Sequence, residues 1–173
     1  MDLEKLKYPI GKFQIDEVID RALVDKWIKE IEALPLKLKD AIKGLNAKQL
    51  NTPYRPEGWT VRQVVHHLAD SHMNAYIRFK LALTEDKPLI KPYDEKRWAE
   101  LPDINSVSVD VSLDLIKALH SKWASLLKQL GDDDLNKEFI HPESGTKNLR
   151  ETIGHYAWHG NHHLAQIVSF KKE

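Results

Sequence analysis

The 173-residue sequence contains no cysteine, which excludes disulfide frameworks, thiolate zinc sites and cysteine nucleophiles. A metal site would have to be built from imidazole, carboxylate and water ligands. The sequence also lacks an excess of charge of one sign, because 26 basic and 26 acidic side chains cancel. This balance argues against nucleic acid or a membrane surface as a partner, since both attract strongly basic proteins.

Long apolar runs are missing as well. The first residues, Met1 to Lys5, do not form the apolar stretch of a signal peptide. No later segment approaches the roughly 18 consecutive apolar residues that span a bilayer. We therefore expect a cytoplasmic protein without a membrane partner. The length fits a single domain over residues 1–173 with enough chain to bury a core.

Apolar residues recur at helical spacing in four long stretches, and no strand-like alternation stands out. The second stretch opens with Thr60-Val61-Arg62-Gln63, which matches a capping box. The sequence therefore predicts an all-α four-helix bundle. The predicted helices run from about residue 16 to 45, from 60 to the prolines at 88 and 92, from 109 to 130, and from 149 to 170.

The segments between these helices are predicted from proline and glycine. Residues 1–16 include Pro9 and Gly11 and predict a short extended N-terminal segment. Pro35 interrupts the first helical pattern and predicts a kink or two abutting helices. A short helix is expected around residues 95–101. Residues 138–146, with Pro142 and Gly145, are expected to form a loop.

Histidines are concentrated near the C-terminus. His155, His159, His162 and His163 fall within nine residues, where an even spread of the nine histidines would place about 0.5. Residues four apart lie on one helix face, so two imidazoles at that spacing can bind one ion. His159 and His163 flank the apolar stripe of the predicted helix. By spacing alone, such a pair is more often a solvated surface feature than a metal site.

The second predicted helix offers a third imidazole. His67 flanks its apolar stripe, as His159 does on the last helix, whereas His72 lies near the stripe and is expected in the core or a pocket. Periodicity leaves the choice between His67 and His72 open. His66 is expected to face outward. His162 is expected to point away from the stripe, and His120 and His141 are expected to be solvated.

Three stretches make the sequence resemble the DinB-like superfamily and, within it, the YfiT-like metal-dependent hydrolases. They are Tyr8 to Phe13, Gly58 to His72 and Tyr156 to Ile167, and their combination of Trp-x7-His with His-x3-His is specific. The resemblance implies a dimeric four-helix bundle that holds zinc or nickel through three histidines. By position these are His67, His159 and His163, so the resemblance favours His67 over His72.

The resemblance also implies hydrolysis of a small substrate by a metal-bound water, and one divalent ion per chain, zinc or nickel. Gly160 stands where the His-Glu-x-x-His pattern has its general base. The catalytic base is therefore unknown, with Asp70 a candidate base or a partner that orients a histidine. The same candidate could equally be a solvated helix carboxylate. Gln166, Asn74 and Trp158 are candidates to line the pocket.

Two other functions fit the sequence. Some relatives resemble thiol S-transferases that use cellular thiols such as bacillithiol, and a metal-bound thiol loses its proton. A non-catalytic helical module could instead use the ion only to hold its helices together. Such a structural ion has four protein ligands, and His155 or His162 is a candidate for the fourth.

Overall fold

The computed structural model describes residues 3–15 and 18–171. Within them, four long helices form the bundle, and short helices and one hairpin connect them. The elements in chain order are α1 Leu3–Lys7, α2 Arg21–Ile42, α3 Ala47–Leu50, α4 Val61–Thr84, α5 Glu95–Trp98, α6 Asp103–Ser106, α7 Val109–Leu127, α8 Asp132–Leu135, β1 Glu138–His141, β2 Gly145–Asn148 and α9 Leu149–Lys171.

The four long helices pack in a ring. Helix α2 contacts α7 and α9, and α4 contacts the same two helices, so α2 and α4 lie diagonally across the bundle. The predicted all-α four-helix bundle is confirmed. The apolar faces bury large side chains along the axis, among them Ile31, Leu68, Phe79, Ile116 and Trp123, each at most 1 % exposed. Burial of such side chains supplies about 1.5–3 kcal/mol each.

Local hydrogen bonds define where the helices begin. The hydroxyl of Thr60 accepts from the backbone N–H of Gln63 at 3.1 Å, and the Gln63 carbonyl accepts from the backbone N–H of Thr60 at 2.9 Å. The predicted capping box is therefore confirmed. Asp20 caps α2 by accepting from the N–H of Leu23 at 2.8 Å. Such caps contribute about 1 kcal/mol each, because they satisfy N–H groups that the helix leaves free.

Helix α2 continues through Pro35, where a kink or two abutting helices were expected. Proline has no backbone N–H, so it cannot donate to the carbonyl of Ile31 one turn earlier. Pro35 is buried, and the helix extends to Ile42. The expectation of two abutting helices is therefore wrong. A single proline breaks one hydrogen bond of a long helix, and packing against α7 and α9 holds the two halves together.

The structure corrects two further expectations. Residues 3–7 form helix α1 rather than extended chain, and the irregular stretch follows it. Residues 138–148 form an antiparallel hairpin, with Glu138 opposite Asn148 and His141 opposite Gly145, where a loop was expected. Gly145 has a φ of +76°, a conformation that glycine adopts without a steric penalty.

In residues 3–15 and 18–171, no helix is both long enough and apolar enough to cross a membrane.

Candidate metal centre

Three imidazoles from two helices meet between α4 and α9. Helix α4 places His67 there, and α9 contributes His159 and His163 one turn apart. One ring nitrogen of each residue lies within 4.8 Å of the others. The Nε2 atoms of His67 and His159 are 3.3 Å apart. The ring centroids of His67 and His163 are 5.0 Å apart, and those of His159 and His163 4.6 Å. His67 and His159 are thus brought together from positions 92 residues apart in the chain.

The spacing of these nitrogens fits a small divalent cation. Two nitrogens bound to one ion at about 2.0–2.1 Å with a tetrahedral angle lie about 3.3–3.4 Å apart. The Nε2 atoms of His67 and His159 have this separation. Three imidazoles satisfy the nitrogen preference of zinc and nickel and leave further coordination positions to small molecules. The donor set therefore fits the metal that the sequence resemblance implies.

The ring of His163 is oriented by Gln166. The Nδ1 atom of His163 lies 2.8 Å from the Oε1 atom of Gln166. The amide nitrogen of Gln166 donates to the hydroxyl of Tyr54 at 2.8 Å and to the carbonyl of Lys7 at 3.1 Å. Because these acceptors fix the amide nitrogen, Oε1 must accept from Nδ1–H of His163. The Nε2 atom of His163 is then unprotonated and available to a cation.

Trp59 covers one side of the three histidines. Its ring lies 4.7 Å from that of His67 and stacks on that of His163 at 6.4 Å, measured between centroids. Trp59 immediately precedes Thr60, the capping residue of α4, so the local geometry that starts the helix also places the indole. The indole thus forms an aromatic wall against His67 and His163.

The three histidines are neutral at pH 7. Burial lowers the pKa of His67 to about 4. Burial and then the neighbouring imidazoles of His163 and His67 lower the pKa of His159 well below its ordinary value. The pKa of His163 is lowered in the same way, first by burial and then by His67 and His162. Neutral imidazoles retain the lone pairs that bind a cation.

Asp70 is only partly buried and makes no side-chain hydrogen bond to these histidines within the described ranges. Burial and then the carboxylate of Asp103 raise the pKa of Asp70 to about 6. Its carboxylate therefore interacts electrostatically with Asp103 in α6. A role for Asp70 as base or orienting residue stays a prediction.

A cavity of about 840 Å³ opens beside His159. Arg78, Tyr93, His155 and Tyr156 also line it. The Nη1 atom of Arg78 donates to the Tyr156 hydroxyl at 3.1 Å. Burial raises the pKa of Tyr93 to about 12, so its phenol remains a hydrogen-bond donor at neutral pH. The cavity thus combines charged side chains of both signs with two phenols next to His159.

The other histidines differ from several expectations. His72 is fully buried, as expected for a core histidine, whereas His66, His120 and His162 are buried against expectation. The Nδ1 atom of His66 lies 2.7 Å from the Ser112 hydroxyl, a partner on another helix that periodicity does not reveal. His141, which was expected to be solvated, is partly exposed.

The two candidates for a fourth ligand do not join the group. Neither His155 nor His162 belongs to the set of nitrogens within 4.8 Å. His155 is exposed at the cavity. The Nε2 atom of His162 lies 2.9 Å from the amide nitrogen of Gln166.

Of the other candidate pocket residues, Asn74 donates from its amide to the backbone carbonyl of Asp70 at 2.9 Å, and Trp158 donates to that of Gly11 at 3.2 Å. Neither lines the cavity beside His159, whereas Gln166 supports the histidines from behind. Sequence reasoning missed Arg78, Tyr93 and Tyr156. The sequence signal that could have pointed to this cavity was Arg78, a charged residue within the predicted second helix.

Known proteins are similar to this chain in sequence and in fold. A family model described as the DinB superfamily matches residues 22–167. A protein of Oceanobacillus iheyensis named "Putative metal-dependent hydrolase" is 58% identical over 166 residues and is matched over 96% of both chains. One of the same name from Bacillus cereus (strain 03BB102) is 57% identical over 170 residues, 98% of both chains.

A solved structure with a similar fold carries a similar description. The structure of YfiT from Bacillus subtilis, described as "a probable metal-dependent hydrolase with an unusual four-helix bundle topology", superposes with a TM-score of 0.94. It is 48% identical to this chain, and the match covers 97% of both chains.

Proposed function

The chain belongs to the DinB superfamily, and on that premise we propose that it is a metal-dependent hydrolase that uses His67, His159 and His163 to bind one divalent ion. The main supporting observation is that nitrogens of these three side chains lie within 4.8 Å of one another. The names of the relatives from Oceanobacillus and Bacillus support the same reaction class.

The three neutral imidazoles would leave the full charge of the ion available, because no carboxylate belongs to the group of ligand atoms in the described residues. A divalent ion bound there would supply Lewis-acid chemistry, polarising a carbonyl and lowering the pKa of coordinated water to about 7. Trp59 shields the rings on one side. The cavity beside His159 would receive a small substrate.

Two side chains are well placed to orient that substrate. Arg78 provides a fixed positive charge at the cavity, and its contact with Tyr156 holds the phenol in place. Tyr93, protonated at neutral pH, can donate to a carbonyl or an ester oxygen. We propose zinc as the ion, with nickel as the alternative, because both accept imidazole ligands.

A thiol S-transferase is the second candidate, because neither Gly160 nor Asp70 supplies a general base to the histidines. Gly160 has no side chain to act as base, and the carboxylate of Asp70 does not hydrogen-bond to the histidines in the part of the chain described. A thiol substrate would lose its proton at such a site without help from a base. The third candidate, a non-catalytic module with four protein ligands, is less well supported because neither His155 nor His162 joins the group.

Activity assays separate the first two candidates. We expect metal-loaded protein to turn over members of a panel of activated esters and amides, and His159→Ala protein to turn over none. A second panel pairs low-molecular-weight thiols with electrophiles. Turnover in the thiol panel alone would reject the hydrolase in favour of the transferase, and turnover in neither panel with bound metal would favour the non-catalytic module.

The proposed homodimer and the extent of the single domain, residues 1–173, remain predictions. Sedimentation analysis of the untagged protein tests the first, and limited proteolysis tests the second.

A further inference from the structure

A line of buried polar atoms crosses the bundle and ends at the proposed metal site. It begins at the backbone carbonyl of Ile31 in α2, which lies 2.6 Å from the Nδ1 atom of His120 in α7. The Nε2 atom of His120 lies 2.8 Å from Nδ1 of His72 in α4. The Nε2 atom of His72 lies 3.2 Å from Nδ1 of His159 in α9. All four long helices contribute one member.

Pro35 leaves the first member of this line without its helical partner. The carbonyl of Ile31 would accept from the backbone N–H four residues later, but that residue is Pro35, which has none. The Nδ1–H of His120 takes its place. Because Pro35 has no N–H, the carbonyl of Ile31 is free to accept from His120 and so orients that ring.

The carbonyl determines the direction of every hydrogen bond in the line. A carbonyl can only accept, so Nδ1 of His120 must carry the hydrogen. Both His120 and His72 are 0% exposed, and burial disfavours a charged ring and lowers the pKa of His120 to about 4, so each ring is buried in its neutral form with one N–H. The Nε2 atom of His120 therefore accepts from Nδ1–H of His72.

The same reasoning applies to the next ring. Because Nδ1 of His72 is the donor, its Nε2 must accept, and the donor is Nδ1–H of His159. The Nε2 atom of His159 is then unprotonated, and it is the atom that lies 3.3 Å from Nε2 of His67. The line leaves a lone pair on the nitrogen that faces the proposed ion.

We propose that His120 and His72 are positioning residues that hold His159 in the Nδ1–H tautomer, so that its Nε2 atom is ready to bind the cation. This inference rests on the proposed metal site. Partners that orient a histidine ligand in this way typically improve metal affinity 10- to 100-fold. Their effect acts through His159, since neither His72 nor His120 belongs to the group of ligand atoms.

The tautomers can be read in the metal-free protein. Long-range 15N–1H correlation spectra distinguish Nδ1–H from Nε2–H for each assigned histidine. We expect Nδ1–H for His120, His72 and His159. An Nε2–H form of either His72 or His120 would overturn the proposal, and this measurement needs neither a variant nor a metal.

Metal affinity provides the second test, measured by competition between apoprotein and a chromophoric zinc chelator. His72→Phe removes both hydrogen bonds and keeps an aromatic ring against Trp123 and Tyr156. We expect zinc affinity to fall about 10- to 100-fold. His72→Gln, whose amide can accept from His159 and donate towards His120, is expected to recover most of that loss.

A packing control accompanies these variants. Trp123 touches the rings of both His72 and His120, so Trp123→Phe disturbs their packing and leaves the hydrogen-bonded line intact. We expect its zinc affinity to stay within about threefold of wild type, against the larger loss expected for a missing orienting partner. Equal losses in Trp123→Phe and His72→Phe, or no loss in His72→Phe, would overturn this inference alone. Failure of the wild-type protein to bind metal would overturn the proposed function as well.

Discussion

The Nδ1 atom of His163 lies 2.8 Å from Oε1 of Gln166, one turn later in the same helix. The amide nitrogen of Gln166 is committed to Tyr54 and to the backbone of Lys7, so its oxygen cannot turn away without losing both contacts. This contact directs the other nitrogen of His163 towards His67 and His159.

Gln166→Leu should weaken metal binding, because it removes the acceptor that orients His163. We expect zinc affinity to fall about 10- to 100-fold in chelator competition, whereas Gln166→Glu, which keeps an oxygen acceptor, should lose less. Asn74→Leu is a matched control, since that amide donates to the backbone carbonyl of Asp70 rather than to a histidine. Wild-type affinity in Gln166→Leu would show that Gln166 does not orient the ligand.

Gly160→Ala should destabilise the protein although alanine is the better helix former. A Cβ atom at position 160 would collide with the side chain of Leu34, which is 2% exposed and has little room to move. Overpacking of this kind costs about 1–3 kcal/mol, which outweighs the helix-propensity gain of about 1 kcal/mol. Urea denaturation should show a net loss of up to about 2 kcal/mol in the free energy of unfolding.

Ser125→Ala is the control for the glycine substitution. Ser125 is exposed on α7, so alanine there gains helix propensity without a collision. We expect it to be neutral or slightly stabilising. A Gly160→Ala protein as stable as Ser125→Ala would contradict the close packing of α2 on α9 at this point.

The metal-free protein should lose stability on acidification. The pKa of His120 is about 4 in the folded chain because of burial, against an ordinary value of 6.5. The unfolded chain therefore binds more protons between these values, and the free energy of unfolding falls as pH drops from about 6.5 to about 4. For this one residue the loss reaches about 3 kcal/mol, and it is absent above about pH 7.

Other titratable groups also change the free energy of unfolding over this pH range. The pKa of Asp70 is raised to about 6, so its protonation in the folded state acts in the opposite direction. The lowered pKa values of His67, His72 and His163 act in the same direction as that of His120, so the histidines dominate. Urea denaturation of apoprotein at pH 5 and pH 7 is the measurement. Equal stability at the two pH values would contradict burial of these neutral imidazoles.

Features of the fold and of the site could be predicted from the sequence where they depend on residues close together in the chain. The capping box at Thr60 and Gln63 involves residues three apart, and the apolar spacing of α4 and α9 lies within each helix. The pair His159 and His163 was visible for the same reason. Choosing His67 over His72 required resemblance to a family, because both positions lie close to the buried face of α4.

The sequence did not reveal features that depend on distant partners. His120 is buried because it bonds to His72 and to Ile31, which are 48 and 89 residues away. The hairpin was missed because each strand has four residues, too few for an alternating pattern, and because its pairing with residues 88–90 comes from another part of the chain. Periodicity within one helix cannot supply such contacts.

Elemental analysis of protein purified without an affinity tag or a nickel column tests the proposed metal site most directly. We expect close to one zinc or nickel ion per chain, and almost none after His67→Ala, His159→Ala or His163→Ala, because two imidazoles hold an ion much more weakly than three. His141→Ala, at a partly exposed position outside the group, should keep the metal. A His159→Ala protein that retains its full metal content would contradict the proposed centre.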